Sequence, residues 1–165
     1  MDGPYLLDSN FFIQAHRQTY PLDVATSFWR KIQQLAAAGK IISIDKVKAE
    51  LHKNKDALTD WCGANLPAPF FCESGPVMAE YAKVIQAATS RRPPYNQRAL
   101  DTFFDADEAD AWLIAHAVNK NIPIVTHEVS QPARVANVKI PDICQMLNIQ
   151  TFTTIEMFRQ IGESF

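Results

Sequence analysis

Three short runs rich in aliphatic and β-branched residues constrain this chain more than any other feature: Pro4 to Leu7, Ile41 to Ile44 and Pro123 to Thr126. Each reads as a buried strand. Between them lie segments of helical character. Leu22 to Ala38 has apolar residues at helical spacing and stops at Gly39, and Asp45 to Lys53 opens on a residue suited to cap a helix. Strands alternating with helices predict an α/β fold with a mainly parallel sheet covered on both faces.

Asp107 to Asn119 is apolar almost all round, so the spacing predicts a largely buried helix with an acidic first turn. The prolines of Arg91 to Asn96 cannot continue a helix, and that stretch reads as a surface loop joining a helical segment near Pro76 to Ser90 to the acidic one. Thr153 to Gly162 reads as a closing amphipathic helix. With 165 residues, a single domain spanning 1–165 is expected.

A net charge of −2 supplies no overall field for nucleic acid, so any such binding must come from local basic patches. No segment reaches the roughly 18 continuous apolar residues of a membrane span, and the expectation is a soluble, cytoplasmic protein with no membrane partner. Cys62, Cys72 and Cys144 are odd in number and have no CxxC spacing, which suits reduced thiols. Five glycines without a GxGxxG or GxxxxGK pattern make a nucleotide-cradling loop a poor fit.

The carboxylates are the candidate chemistry. Asp8 follows the first strand directly, where open α/β sheets build their ligand sites, although capping the helix near Phe11 would also explain it. Glu50 sits in a Lys-rich helix and by itself reads as a solvated partner of Lys46 or Lys53. In Asp105 to Asp110 several acids suit a helix N-terminus, yet Asp110 stands between Ala109 and Ala111 on a buried helix, where a carboxylate is costly without a cation. Val125-Thr126-His127-Glu128 repeats at a third strand the arrangement seen at Asp8. Acids gathered at one sheet edge raise each other's pKa, and oxygen-only ligands select Mg²⁺ or Mn²⁺.

The order Asp8, Glu50, Asp110, Glu128 on these elements resembles the PIN-domain nucleases. Leu-Leu-Asp8-Ser-Asn10 looks like that family's opening motif, Ala109-Asp110-Ala-Trp-Leu-Ile-Ala-His-Ala like its helical aspartate motif, and Val-Thr126-His-Glu128 like its Thr-x-Asp motif. The chain further resembles the subgroup known as domain of unknown function 4411 (DUF4411), through Pro21-Leu-Asp, Phe28-Trp29, Val47-x-x-Glu50 and Lys139-Ile-Pro-Asp-Ile-Cys144. The resemblance implies a three-layer α/β/α sandwich and an endoribonuclease using one or two metals. RNA would be its substrate, and it would act as the toxin of a toxin–antitoxin pair, with an antitoxin protein and a homodimer as further partners. Asp8, Glu50, Asp110 and Glu128 would be catalytic. Metal would fall to Asp8, Asp110, Glu128 and an auxiliary Asp107, with Asn10 and Thr126 orienting carboxylates. Glu128 departs from the usual Asp and keeps the charge on a longer reach.

Lys46, Lys48, Lys53, Arg91, Arg92, Arg134 and Lys139 are the basic residues expected near the site edge. His116 reads as structural and His127 as a supporting residue, and Trp29, Trp61 and Trp112 as core. Three other functions compete. One is a PIN-like scaffold that only binds RNA or protein. A second is a phosphotransferase with Asp8 as nucleophile, disfavoured because Asn10 stands where such enzymes carry a second Asp. The third is a structure-specific DNA nuclease.

Overall fold

The computed structural model describes residues 3–165. Its centre is a five-stranded, wholly parallel sheet of β1 (Tyr5–Leu7), β2 (Ile41–Ile44), β3 (Phe71–Cys72), β4 (Ile124–Val125) and β5 (Thr151–Phe152), in spatial order β3-β2-β1-β4-β5. The three expected strands are its inner ones. β3 and β5 are two-residue edge strands, too short to leave a periodicity in the sequence. Every residue of β1 and β4 is buried, as a parallel sheet covered on both faces requires.

Helices cover both faces of the sheet, completing a three-layer α/β/α sandwich. They are α1 (Ser9–Gln14), α2 (Thr26–Ala37), α3 (Asp45–Lys53), α4 (Ala57–Asn65), α5 (Met78–Ser90), α6 (Gln97–Phe103), α7 (Asp110–Lys120), α8 (Ile140–Met146) and α9 (Thr154–Ile161). Their limits follow local chemistry. α2 gives way to Gly39 at φ 71°, a left-handed conformation that glycine adopts at no steric cost. α9 opens on a reciprocal cap between Thr153 and Glu156 and closes at Gly162, as the sequence predicts.

The core is mainly aliphatic and holds an aromatic cluster. Phe28 is fully buried and meets Phe11, Tyr20, Trp29, Phe158 and Phe165 with ring centroids 4.3 to 6.2 Å apart. α7 is buried along most of its length, through Ala111, Leu113, Ile114, Ala115, His116 and Ala117. No helix among the described residues is long and apolar enough to cross a membrane.

Two expectations are corrected. The acidic helix starts at Asp110, not Asp107, because Asp105 closes a separate turn: its carboxylate accepts from the N–H of Asp107 at 2.9 Å and its carbonyl from that of Glu108 at 3.0 Å. The Arg91 to Asn96 stretch is not simply a surface loop. Arg91 and Tyr95 are buried; the guanidinium lies 3.9 Å from the Tyr95 ring centroid and donates to the carbonyls of Pro132 and Arg134.

Candidate functional site

From β1 the chain steps outward to β2 and β3, then returns to the other side of β1 as β4 and continues outward to β5. The connections leaving β1 and β4 therefore diverge, and open parallel sheets carry their ligand crevice at the carboxyl ends of such a pair. Leu7 pairs with Val125, so the next residues, Asp8 and Thr126, stand side by side at that crevice.

Asp8 caps α1 and also faces Thr126 across the crevice. One carboxylate oxygen caps α1, accepting from the Phe11 N–H at 2.7 Å, and the other accepts from the Thr126 hydroxyl at 2.6 Å. Thr126 in turn accepts from the Glu128 N–H at 3.2 Å. Helices returning antiparallel to the strands begin at the strands' carboxyl ends, and this places Asp110, in the first turn of α7, at the same crevice. Glu50 arrives from α3 and accepts from the Ala109 N–H at 3.1 Å. It thus caps α7 from outside, where no side chain of α7's own segment does so.

These acids share one electrostatic neighbourhood. Burial pushes Asp8 up to about 7, against the Thr126 and Phe11 hydrogen bonds, and the charges of Glu128 and Glu50 add to the rise. Burial likewise raises Asp110 well above the usual carboxylate range, with Glu128, Asp8, Glu50 and Glu108 contributing. The positive end of α7 favours ionised Asp110, so burial and repulsion together outweigh the helix dipole. Ion pairs among the described residues run from Lys31 and Lys40 to Glu163, and none reaches the cluster.

Glu108 is the acid that the sequence reading passed over. It lines a cavity of about 260 Å³ together with Asp110, Glu128 and Lys139, and burial followed by Glu50 raises its pKa. Asp107, the expected auxiliary acid, is exposed on the Asp105 turn. Asn10 is exposed at the start of α1 on the other side of Glu128, in a second cavity.

By donor chemistry the cluster suits a hard divalent cation: oxygen ligands only, Asp8 buried and Asp110 half-buried, with no ion pair to them among the described residues. Among the described residues no three His, Cys, Asp or Glu side chains are already close enough to hold one. The reason is visible in the hydrogen bonds. Glu50 and Glu128 each turn an oxygen to a backbone N–H, of Ala109 and of Ile140 (2.7 Å) respectively.

Of the basic residues expected near the site, Lys139 lines both cavities. Lys46 donates to the Ala106 carbonyl at 3.1 Å and lies 5.8 Å from the Trp112 ring centroid, while Lys48 lies over Phe71. Arg91 is a buried structural residue, and Lys53, Arg92 and Arg134 are exposed. His127 bonds Thr154 at 2.9 Å. Asp45, Ser74 and His116 come together without forming a nucleophile: the buried Ser74 hydroxyl donates to Asp45 and lies 3.2 Å from His116 Nε2, tying the ends of β2 and β3 to α7.

Among curated proteins and among solved structures nothing matches the chain. A family model does match, over residues 5–165, so the chain belongs to the family described as domain of unknown function DUF4411.

Proposed function

We propose that this protein is a divalent-metal-dependent endoribonuclease whose working site is Asp8, Glu50, Asp110 and Glu128, with Glu108 at its rim. The observation that carries the reading is the pair of Asp8, buried, and Asp110, half-buried, at the sheet's switch point, with no ion pair to either among the described residues. A charge so placed is stabilised by a proton or a cation, and a metal-dependent hydrolase of phosphate diesters uses such a cation to activate its water. The resemblance to PIN nucleases supports the same assignment and extends it: RNA as substrate, a toxin's role beside an antitoxin protein, a second copy of the chain as partner, and a cytoplasmic setting.

Mg²⁺ or Mn²⁺ bound there would supply Lewis acidity to a water and to a phosphate oxygen. The chain's own groups set that chemistry up. Thr126 holds Asp8 at a fixed angle by donating to one oxygen, and the Phe11 N–H fixes the other. Asp110 and Glu128 face the cavity in which a phosphate would lie, and Lys139 brings a positive charge to the same wall. Asp8 and Asp110 would hold the cation as carboxylates, so its binding would favour their ionised forms.

Incubation of the purified protein with a panel of RNAs and DNAs, with and without Mg²⁺ or Mn²⁺, tests the reading. Metal-dependent internal cleavage of RNA is expected, and cleavage of DNA alone would move the assignment to a DNA nuclease. A second reading, a scaffold that binds without cutting, draws on the absence of a preformed ligand shell among the described residues. It predicts RNA retention with no cleavage in either metal.

A further inference from the structure

We propose that the cavity of about 520 Å³ on the far side of Glu128 is a subsite for the nucleotide next to the reacting phosphate, in which Asn10, Gln14 and Gln131 meet the base and Arg17 and Lys139 meet a phosphate. The proposal rests on the nuclease reading of the acid cluster and names how that site engages its substrate. Glu128 and Lys139 line both cavities, so a polymer strand crossing the acids passes over a shared wall into the second space.

The two spaces differ in chemistry. The acid cavity carries Glu108, Asp110 and Glu128 against Lys139 alone, whereas Glu128 is the one carboxylate lining its neighbour, which adds Arg17 to Lys139 and offers side-chain amides, His127 and the apolar Ile13 and Val129. Phosphates flanking the cut are repelled from the first without a cation and attracted to the second. Amides present donors and acceptors of the kind that read exposed base edges, which only an unpaired strand displays freely.

Local structure aims these groups. Asn10, Gln14, Arg17 and Gln18 follow helical spacing along one stripe, while Phe11, Phe12 and Ala15 face the core. α1 runs on into a π-helical turn, Ala15–Thr19, a rare widening found frequently at functional sites, and Arg17 and Gln18 lie on it. The opposite wall is held in place. The Gln131 N–H donates to buried Asp142 at 3.0 Å, and Arg91 fixes the carbonyls of Pro132 and Arg134. The Gln131 side-chain Oε1 accepts from the Arg134 guanidinium at 3.3 Å, which leaves the side-chain NH₂ as a donor. A space of this size is within the range of small-ligand pockets, roughly 300 to 1,000 Å³.

Fluorescence anisotropy with short labelled oligo-A, oligo-C, oligo-U and oligo-dT, in EDTA to prevent cleavage, tests the subsite. Arg17→Ala and Lys139→Ala are each expected to weaken RNA binding about tenfold and to lower the slope of log affinity against log salt by about one. Gln14→Ala should narrow the spread of affinities among the oligomers, and Lys83→Ala on exposed α5 should change nothing. If wild type cleaves RNA while Arg17→Ala and Gln14→Ala bind every oligomer as wild type does, the subsite is wrong and the nuclease reading stands. If wild type binds no oligomer, the subsite is also wrong, and the separate cleavage panel decides the nuclease reading.

Discussion

In the presence of Mg²⁺ or Mn²⁺, Asp8→Asn and Asp110→Asn each lower RNA cleavage by at least about a hundredfold while the protein still folds. Loss of a residue that merely orients a ligand costs 10- to 100-fold in metal sites, so loss of a ligand charge costs at least as much. Asn conserves volume, opens no cavity and caps a helix about as well as Asp, which keeps α1 anchored through the Phe11 N–H. Cleavage assays beside thermal melts separate the outcomes. Wild-type cleavage by either variant contradicts the site, and a collapsed melt assigns that acid to the fold alone.

Without divalent cations the protein loses stability as pH rises from about 4 to about 7. Asp8 titrates near 3.8 in the unfolded chain and at about 7 in the folded one, so across that window the folded state holds a proton that the unfolded state has released. Stability is then full below the lower value and is lost by the upper one. The shift corresponds to about 4 kcal/mol over the whole window, and half-buried Asp110 acts in the same direction. Between pH 5 and 8 in EDTA the melting temperature of wild type should fall by several degrees, the Asp8 effect of on the order of 10 °C being offset in part by His116 and His127, whose lowered pKa values add stability as pH rises toward 6.5. Asp8→Asn removes most of that fall and makes the protein more stable than wild type at pH 8. A wild-type melt that is flat or rising over this interval contradicts the burial of an uncompensated carboxylate.

The parts of the site visible in the sequence were those set by local geometry. A residue directly after a buried parallel strand has one place to go, so Asp8, Thr126 and Glu128 could be assigned to the sheet's carboxyl edge from the chain alone. Asp110 was conspicuous because an acid between alanines on an apolar helix has no solvent to face. Glu50 was weak evidence by itself, since its role depends on an N–H 59 residues away. The exchange of Asp107 for Glu108 has a comparable cause: Asp105 closes a turn that delays α7 by three residues, and capping preferences do not reveal which of several acids will close it. Arg91 misled because its partners are backbone carbonyls some 40 residues on, which no side-chain pattern records. The edge strands β3 and β5 form by pairing with β2 and β4, and their two-residue lengths carry no signal of their own.

Isothermal titration of Mn²⁺ into the protein near pH 6.5, run in two buffers of different ionisation enthalpy, bears most directly on whether these acids form a metal centre. Asp8, pushed up to about 7, holds a proton in much of the population at that pH and must release it to become a ligand, and Asp110 is shifted in the same direction, so wild type should bind Mn²⁺ with a net release of protons that shrinks as the pH is raised above 7. Asp110→Asn should lose both the binding and the proton release. Saturable binding by Asp110→Asn with wild-type affinity and the same proton release, or no binding by wild type at all, would contradict the account.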